Sequence, residues 1–377
     1  MRPQPSEEPD ASDAAIRLDD LSKVFAGSSE PAVQHLSLDI PRGSLAVLVG
    51  PSGCGKTTTL KMINRLIEPT SGRIEVQGRD IRSQPAHVLR RGIGYVIQQT
   101  GLFPHRTVAE NIGTVPRLLG WDKRKIADRV AELVDVVGLD PEMLRRYPAA
   151  LSGGQQQRVG VARALAADPP VLLMDEPYSA VDPIVRARLQ DELLALQHRL
   201  QKTIVLVTHD IDEAIKLGDR IAILNVGGIL EQYGRPADLL RDPANEFVAR
   251  FLGRERALKR MALLKVSDVQ LTDGPVVGRD ATPEAAKELM ARFAVDWIGV
   301  RDRDELLGWA WGRDLDGCDT VGAAPTERFR AWVAPDTPLR QALDLIVDSR
   351  TRVAVVLDGE RYLGMLTIEQ IADAMAA

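Results

Sequence analysis

The sequence predicts an α/β fold in two parts, a nucleotide-binding core over residues 15–253 and a smaller duplicated module over residues 254–377. Three observations carry this reading. Short apolar strands alternate with helical stretches from Ile16 to about Gly253. A glycine-rich loop at residues 50–58 stands between an apolar strand and a helix. A weak internal repeat, offset by about 55 residues, fills the C-terminal third.

Taken in order, residues 1–14 are expected to be a disordered tail. The opening stretch is polar and proline-rich and lacks the basic and apolar regions of a signal peptide. Core strands are expected at 44–49, 94–97, 171–174, 203–208 and 220–224. Alternation of this kind implies layers around a largely parallel sheet. Between about residues 90 and 167 the pattern turns mostly helical. Ile126, Val130, Leu133, Val134 and Val137 recur at a helical period, so a helical subdomain is expected as an insertion in the α/β core. Residues 254–265 then gather Arg254, Arg256, Lys259, Arg260 and Lys265 against the single acid Glu255. In the repeat, Thr282-Pro283, a helix, Trp297–Val300 and Leu306-Leu307-Gly308 are echoed by Thr337-Pro338, a helix, Val353–Val356 and Tyr362-Leu363-Gly364. This predicts two β-α-β-type units, a degenerate one at about 262–316 and a clearer one at 322–377.

Composition narrows the class. The chain has 377 residues, 45% hydrophobic and 27% charged, as in an ordinary globular protein. A net charge of −5 argues against a nucleic-acid partner. No stretch approaches the roughly 20 apolar residues that cross a bilayer. Cys54 and Cys318 are the only cysteines and lie in unrelated contexts. No structural disulfide is expected, and the cytosol is the natural compartment.

The chemistry begins at Gly50-Pro51-Ser52-Gly53-Cys54-Gly55-Lys56-Thr57-Thr58, which follows the run Leu45–Val49 and opens a helix. The glycines let successive amides turn inward on an anion, helped by the positive end of the helix. This is a phosphate-binding loop, in which Lys56 would reach the β- and γ-phosphates and Thr57 would ligate Mg²⁺. Downstream, the apolar strand 171–174 ends in Asp175 and Glu176. Asp175 would bind Mg²⁺ opposite Thr57, and Glu176 could act as general base or water-orienter. Ser152-Gly153-Gly154-Gln155 heads another helix and forms a second anion site. One subunit has no use for two such sites so far apart. Two subunits packed head to tail would each close over the nucleotide held by the other.

Through most of residues 16–253 these motifs resemble the ATP-binding-cassette (ABC) ATPases, which have a P-loop NTPase fold with a RecA-like core and a helical subdomain. The resemblance implies ATP and Mg²⁺ as cofactors and a homodimer as the working unit. It makes Gln98 the glutamine whose loop touches Mg²⁺ and carries motion to a membrane partner. His209 becomes the histidine that contacts the γ-phosphate, and residues 179–182, ending in Asp182, become the dimer-contacting loop. Phe25 stands where the family places an aromatic on adenine, a core phenylalanine being the alternative. Cys54 fills a variable loop position, with a redox role as its alternative.

Gly101–Val108 follows Gln98 and exposes the apolar cluster Leu102-Phe103-Pro104, unfavourable in water unless another protein covers it. In importers this region receives the membrane permease. The runs 59–69 and 94–99 look like the glycine betaine/carnitine/choline uptake branch, whose members carry tandem cystathionine-β-synthase-type (CBS) domains. That implies a peripheral subunit on the cytoplasmic face of the membrane, served indirectly by an extracytoplasmic binding protein. Import of another small solute such as an amino acid, or a soluble non-transport ABC ATPase, are the alternatives. In the CBS units, Gly364 and Thr367 are followed by Gln370, and Gly308 by Trp311 and Asp314, so each departs once from the adenosine-binding pattern. Sensing of ionic strength, which would make uptake osmoregulated through the CBS region, nucleotide sensing and simple dimerisation all stay open. So do anionic-lipid contact through residues 254–265 and a solvated linker helix.

Overall fold

The computed structural model describes residues 14–98, 101–179, 181–303 and 305–376. Residues 1–13 of the tail expected at 1–14, and Gln99 and Ala180 within the expected motifs, lie outside the described residues, while Ala14 already begins a strand and so does not belong to a tail. The chain forms two compact units, one through Leu252 and one from Gly253.

The first unit holds two sheets. A four-stranded antiparallel sheet has the order β2-β1-β4-β5, with β1 Ala14–Lys23, β2 Val33–Pro41, β4 Ser71–Val76 and β5 Arg79–Asp80. This sheet departs from the expected parallel layering. Its signal is the burial of Val33, Leu36, Leu38 and Ile40 along β2, an alternation suited to a strand with one covered face. The second sheet has six strands in the order β10-β9-β3-β8-β7-β6. They are β3 Leu45–Val49, β6 Ile93–Val96, β7 Val171–Asp175, β8 Thr203–Thr208, β9 Arg220–Asn225 and β10 Ile229–Gly234. Only the β9–β10 pair is antiparallel. The central strands β3, β7 and β8 are buried at every residue, as a sheet covered on both faces requires.

The helical subdomain leaves the core after β6 and returns before β7. It includes Val108–Ile112, Thr114–Leu118, Lys123–Val136 and Gly153–Leu165. The expected start at residue 90 is thus too early, because β6 pairs with β7 inside the core sheet.

The second unit holds two three-stranded sheets of one topology. The first joins β11 Val276–Gly278, β12 Trp297–Asp302 and β13 Glu305–Trp311; the second joins β14 Trp332–Val333, β15 Val353–Asp358 and β16 Arg361–Thr367. In each, a parallel pair flanks a hairpin, and the hairpin bulges at the same place, next to the pairs Val300↔Gly308 and Val356↔Gly364. Both glycines lie beneath a crossing backbone: an added Cβ would stand 2.4 Å from the Glu327 carbonyl oxygen at Gly308 and 2.8 Å from that of Thr272 at Gly364. These crossings overturn the expected boundary of the first repeat at 262. Thr272 pairs with Met365, Lys265 with Pro338, and Met261 and Val266 belong to the core of the second repeat. Trp297, Trp309, Val353, Val355 and Met365 form a core between the two sheets.

The helix Arg256–Leu263 carries most of the basic cluster. Arg260 is buried, and its guanidinium donates to the Met375 carbonyl at 2.7 Å. It is therefore withdrawn from the lipid contact expected of residues 254–265. Among the described residues, no helix is long and apolar enough to cross a membrane.

Candidate nucleotide site

Strand registry builds the site. Val49 pairs with Thr208, Asp175 with Val207, and Val96 with Met174, so β3, β8, β7 and β6 end together. The residues that follow them, Gly50, His209, Glu176 and Gln98, emerge along one edge of the sheet. Ligands of open parallel sheets bind at such carboxyl ends.

The loop after β3 curls as the glycine spacing predicts. A Cβ on Gly50 would lie 2.1 Å from the Leu224 carbonyl oxygen, and one on Gly55 2.3 Å from that of Ala32. Only glycine fits at these two close approaches. Lys56 is buried, and its ammonium donates to the Gly50 and Pro51 carbonyls at 2.8 and 2.9 Å. Cys54 is fully buried as a free thiol with its sulfur 3.6 Å from Lys56 Nζ, so it packs the loop from within. Ser52, Gly53, Cys54, Gly55, Lys56, Thr57 and Thr58 line a cleft of about 500 Å³ with Gln98, Glu176 and His209.

At the base of the cleft, Thr57 Oγ1 donates to Asp175 Oδ1 at 2.8 Å. Burial lifts the Asp175 carboxyl above its ordinary range, against the hydrogen bond from Thr57. Tyr95 also hydrogen-bonds Asp175, and burial pushes the Tyr95 hydroxyl up. Sequence reasoning missed Tyr95; the signal available was a single polar-tipped side chain in the strand Ile93–Val96. A hydroxyl and a carboxylate oxygen this close fit Mg²⁺, which takes one or two protein oxygens together with phosphates and water.

Glu176 stands at the rim in a left-handed conformation, with φ of 44°. Its amide donates to Val207 at 2.9 Å, and Ser179 Oγ donates to its carbonyl at 3.0 Å, which together hold the turn. Gln98 Nε2 donates to one carboxylate oxygen at 2.9 Å, and His209 Nδ1 lies 3.2 Å from the other. A carboxylate fixed on both sides above a phosphate loop can orient and deprotonate a water.

The remaining expected residues lie elsewhere. Ser152 caps the helix Gly153–Leu165 in a reciprocal box with Gln155, with Ser152 and Gly153 exposed. The Asp182 carboxylate caps Pro183–Leu200 through the Val185 amide at 3.0 Å. None of Ser152, Gly153, Gly154, Gln155 and Asp182 lines the cleft of their own subunit. Phe25 is 41% exposed, which removes the core alternative, and Lys23 Nζ lies 5.2 Å from its ring centroid. In the second unit, Gln370 is engaged with Thr367 and with the Gln270 carbonyl. Thr367 and Glu369 line a cleft of about 560 Å³ with Asp296, Arg350 and Arg352.

This fold and site define an ATP-binding-cassette ATPase. The ABC transporter family model matches residues 33–179, and the CBS domain model matches residues 328–377. The chain is 53% identical, over 95% of each chain, to the glycine betaine/carnitine/choline transport ATP-binding protein OpuCA of Bacillus subtilis. It is 47% identical, over 96% of each, to the osmoprotectant import ATP-binding protein OsmV of Salmonella typhimurium. A dimeric ATP-binding cassette solved in a post-hydrolysis state with ADP and Pi aligns with a TM-score of 0.53 and 33% identity, covering 58% of this chain and 98% of that one. The chain belongs to the ABC transporter ATP-binding proteins, in the quaternary-amine uptake branch with a C-terminal CBS module. It is an ATP-binding, ATP-hydrolysing subunit of an import system.

Proposed function

We propose that this subunit powers import of a quaternary-amine compatible solute such as glycine betaine, choline or carnitine. The observation that carries the reading is Glu176 held between Gln98 and His209 at the mouth of the phosphate loop. It occurs in a chain that matches importer ATPases along nearly its full length.

In this reading the amides of residues 50–58 hold the phosphates, and Lys56 turns from its loop carbonyls toward them. Thr57, Asp175 and Gln98 would hold Mg²⁺, which supplies charge neutralisation on the β- and γ-phosphates. Glu176 takes the proton of the attacking water, and His209 contacts the γ-phosphate. Phe25 offers its exposed ring to adenine. Ser152, Gly153, Gly154, Gln155 and Asp182, absent from the cleft of their own subunit, complete the site of a second copy. Permease subunits dock at Leu102-Phe103-Pro104, where Phe103 is 38% exposed and flanked by Arg106. The subunit then works at the cytoplasmic face of the membrane, and a contact with anionic lipid would rest on the exposed Arg254 and Lys265.

The test is reconstitution. The subunit is purified with the permease encoded beside it, and uptake of labelled glycine betaine, choline, carnitine and an amino acid is measured in ATP-loaded proteoliposomes. Uptake of a quaternary amine at least tenfold above a Glu176→Gln control is expected. Uptake of the amino acid alone, or purification with no membrane subunit, overturns the proposal.

A further inference from the structure

A second cleft, of about 430 Å³, opens in the first unit away from the phosphate loop. Its walls are the end of Lys123–Val136 with residues 137 and 138, the middle of Gly153–Leu165, residues 188–199 of Pro183–Leu200, and the buried Tyr178. The walls are mostly apolar, with Val137, Val161, Leu189, Leu193 and Leu196 among them. A cleft of this size with few polar groups has the character of a small-molecule site.

Its polar groups are not those of a settled core. Gln157 is only 3% exposed and lines the cleft, and its Nε2 has no hydrogen-bond partner among the described residues. A buried amide donor left unpaired is costly, and a ligand acceptor would remove that cost. At the rim, Glu192 engages Arg158 and Arg188, at 2.6 and 3.1 Å. Among the described residues Arg199 meets no carboxylate; it donates to the Val136 carbonyl at 3.4 Å. With Arg158, Arg188 and Arg199 against Asp135 and Glu192, the lining carries excess positive charge.

We propose that this cleft binds a small anionic amphiphile, a compact apolar body bearing one carboxylate or sulfonate. The apolar body lies against Val137, Val161, Leu193 and Leu196, while the anion meets Arg199 and accepts from Gln157. Two of the walls are the helices that begin at Ser152 and Asp182. A molecule between them is placed to change the spacing of two elements that the functional proposal assigns to the dimer interface. The binding claim itself does not rest on that assignment.

Octanoate serves as the probe, with octylamine as the cationic control, in calorimetric titrations of the full-length chain. One saturable octanoate site is expected, with a dissociation constant of about 0.1–1 mM for so small a ligand. Octylamine should bind at least about tenfold more weakly. Arg199→Ala should weaken octanoate at least about fivefold, and Val161→Trp, which fills a partly exposed lining position, should abolish it. Binding of a fluorescent ATP analogue checks each variant for folding. If Val161→Trp fails that check, Arg199→Ala decides. Absence of saturable octanoate binding, equal binding of octylamine, or undiminished binding in a folded variant overturns the proposal.

Discussion

Gln98 and Glu176 are joined by a 2.9 Å hydrogen bond between residues that follow two neighbouring strands, β6 and β7. Gln98 also heads the segment that leads into the helical subdomain. In the proposed function this hydrogen bond is the link through which a displacement of that subdomain would reach the carboxylate. Glu176→Gln keeps the size of the side chain and the partners but removes the base. ATP affinity should change by less than about threefold, while turnover falls by about 100-fold or more. Phosphate release by the assembled transporter, with nucleotide affinity measured by a fluorescent analogue, checks both. Wild-type turnover in the variant refutes the assignment.

The composite site has a test of its own at Gly153. A Cβ added there meets nothing within 4 Å inside the subunit, and the position is helical, where alanine is favoured over glycine. Gly153→Ala should thus leave the thermal midpoint unchanged or slightly raised. Across a dimer interface the same methyl would stand between a backbone amide and a phosphate. Losing one charge-assisted hydrogen bond of about 2 kcal/mol corresponds to roughly a 30-fold loss of ATPase activity. Full activity in a stable Gly153→Ala variant would mean that the Ser152-Gly153-Gly154 segment serves no nucleotide.

Arg260 offers a parallel test in the second unit. Its buried guanidinium holds the carbonyl of Met375 near the end of the helix Ile368–Ala376. Arg260→Met keeps the apolar stem and removes the hydrogen bond. Hydrogen bonds to charged groups are worth about 1.5–3 kcal/mol, so amide exchange across 368–376 should speed up by roughly 10- to 100-fold. Unchanged exchange would assign the contact no weight.

These cases show where sequence reading stops. The phosphate loop, Asp175-Glu176 and His209 were legible because each follows an apolar strand directly, and local order places it at a strand end. Tyr95 was not, because its partner Asp175 lies on another strand and only sheet order brings the two together. Arg260 counted as one more charge in a basic run; its burial depends on a helix more than 100 residues further on. The pairing of Thr272 with Met365 is likewise non-local, so the first repeat was drawn to include residues that belong to the core of the second. β1 and β2 pair locally and antiparallel, and the other edge of β1 takes β4 from further along the chain, an arrangement that the alternation of strands and helices does not reveal.

Glu213, behind His209, gives a prediction in pH. Burial holds its carboxyl above the ordinary range, against a 2.5 Å hydrogen bond from Thr208 Oγ1. The nearby Asp210 charge adds to this rise, while the Arg186 charge and Gln190 oppose it. A carboxyl whose pKa is raised by folding binds its proton more tightly in the native state than in the unfolded chain. Between the unfolded value of about 4.3 and the raised native value, the native state therefore holds more protons, and stability falls as pH rises. Above that window the full cost of the buried charge is present. Glu213→Gln removes the ionisation while keeping the shape. The variant should match the wild type near pH 4.5 and exceed it at pH 8, with a flatter dependence of thermal midpoint on pH. Scanning fluorimetry in the two buffers measures the difference, and a variant less stable than wild type at pH 8 would show that the charged carboxylate is itself part of the fold.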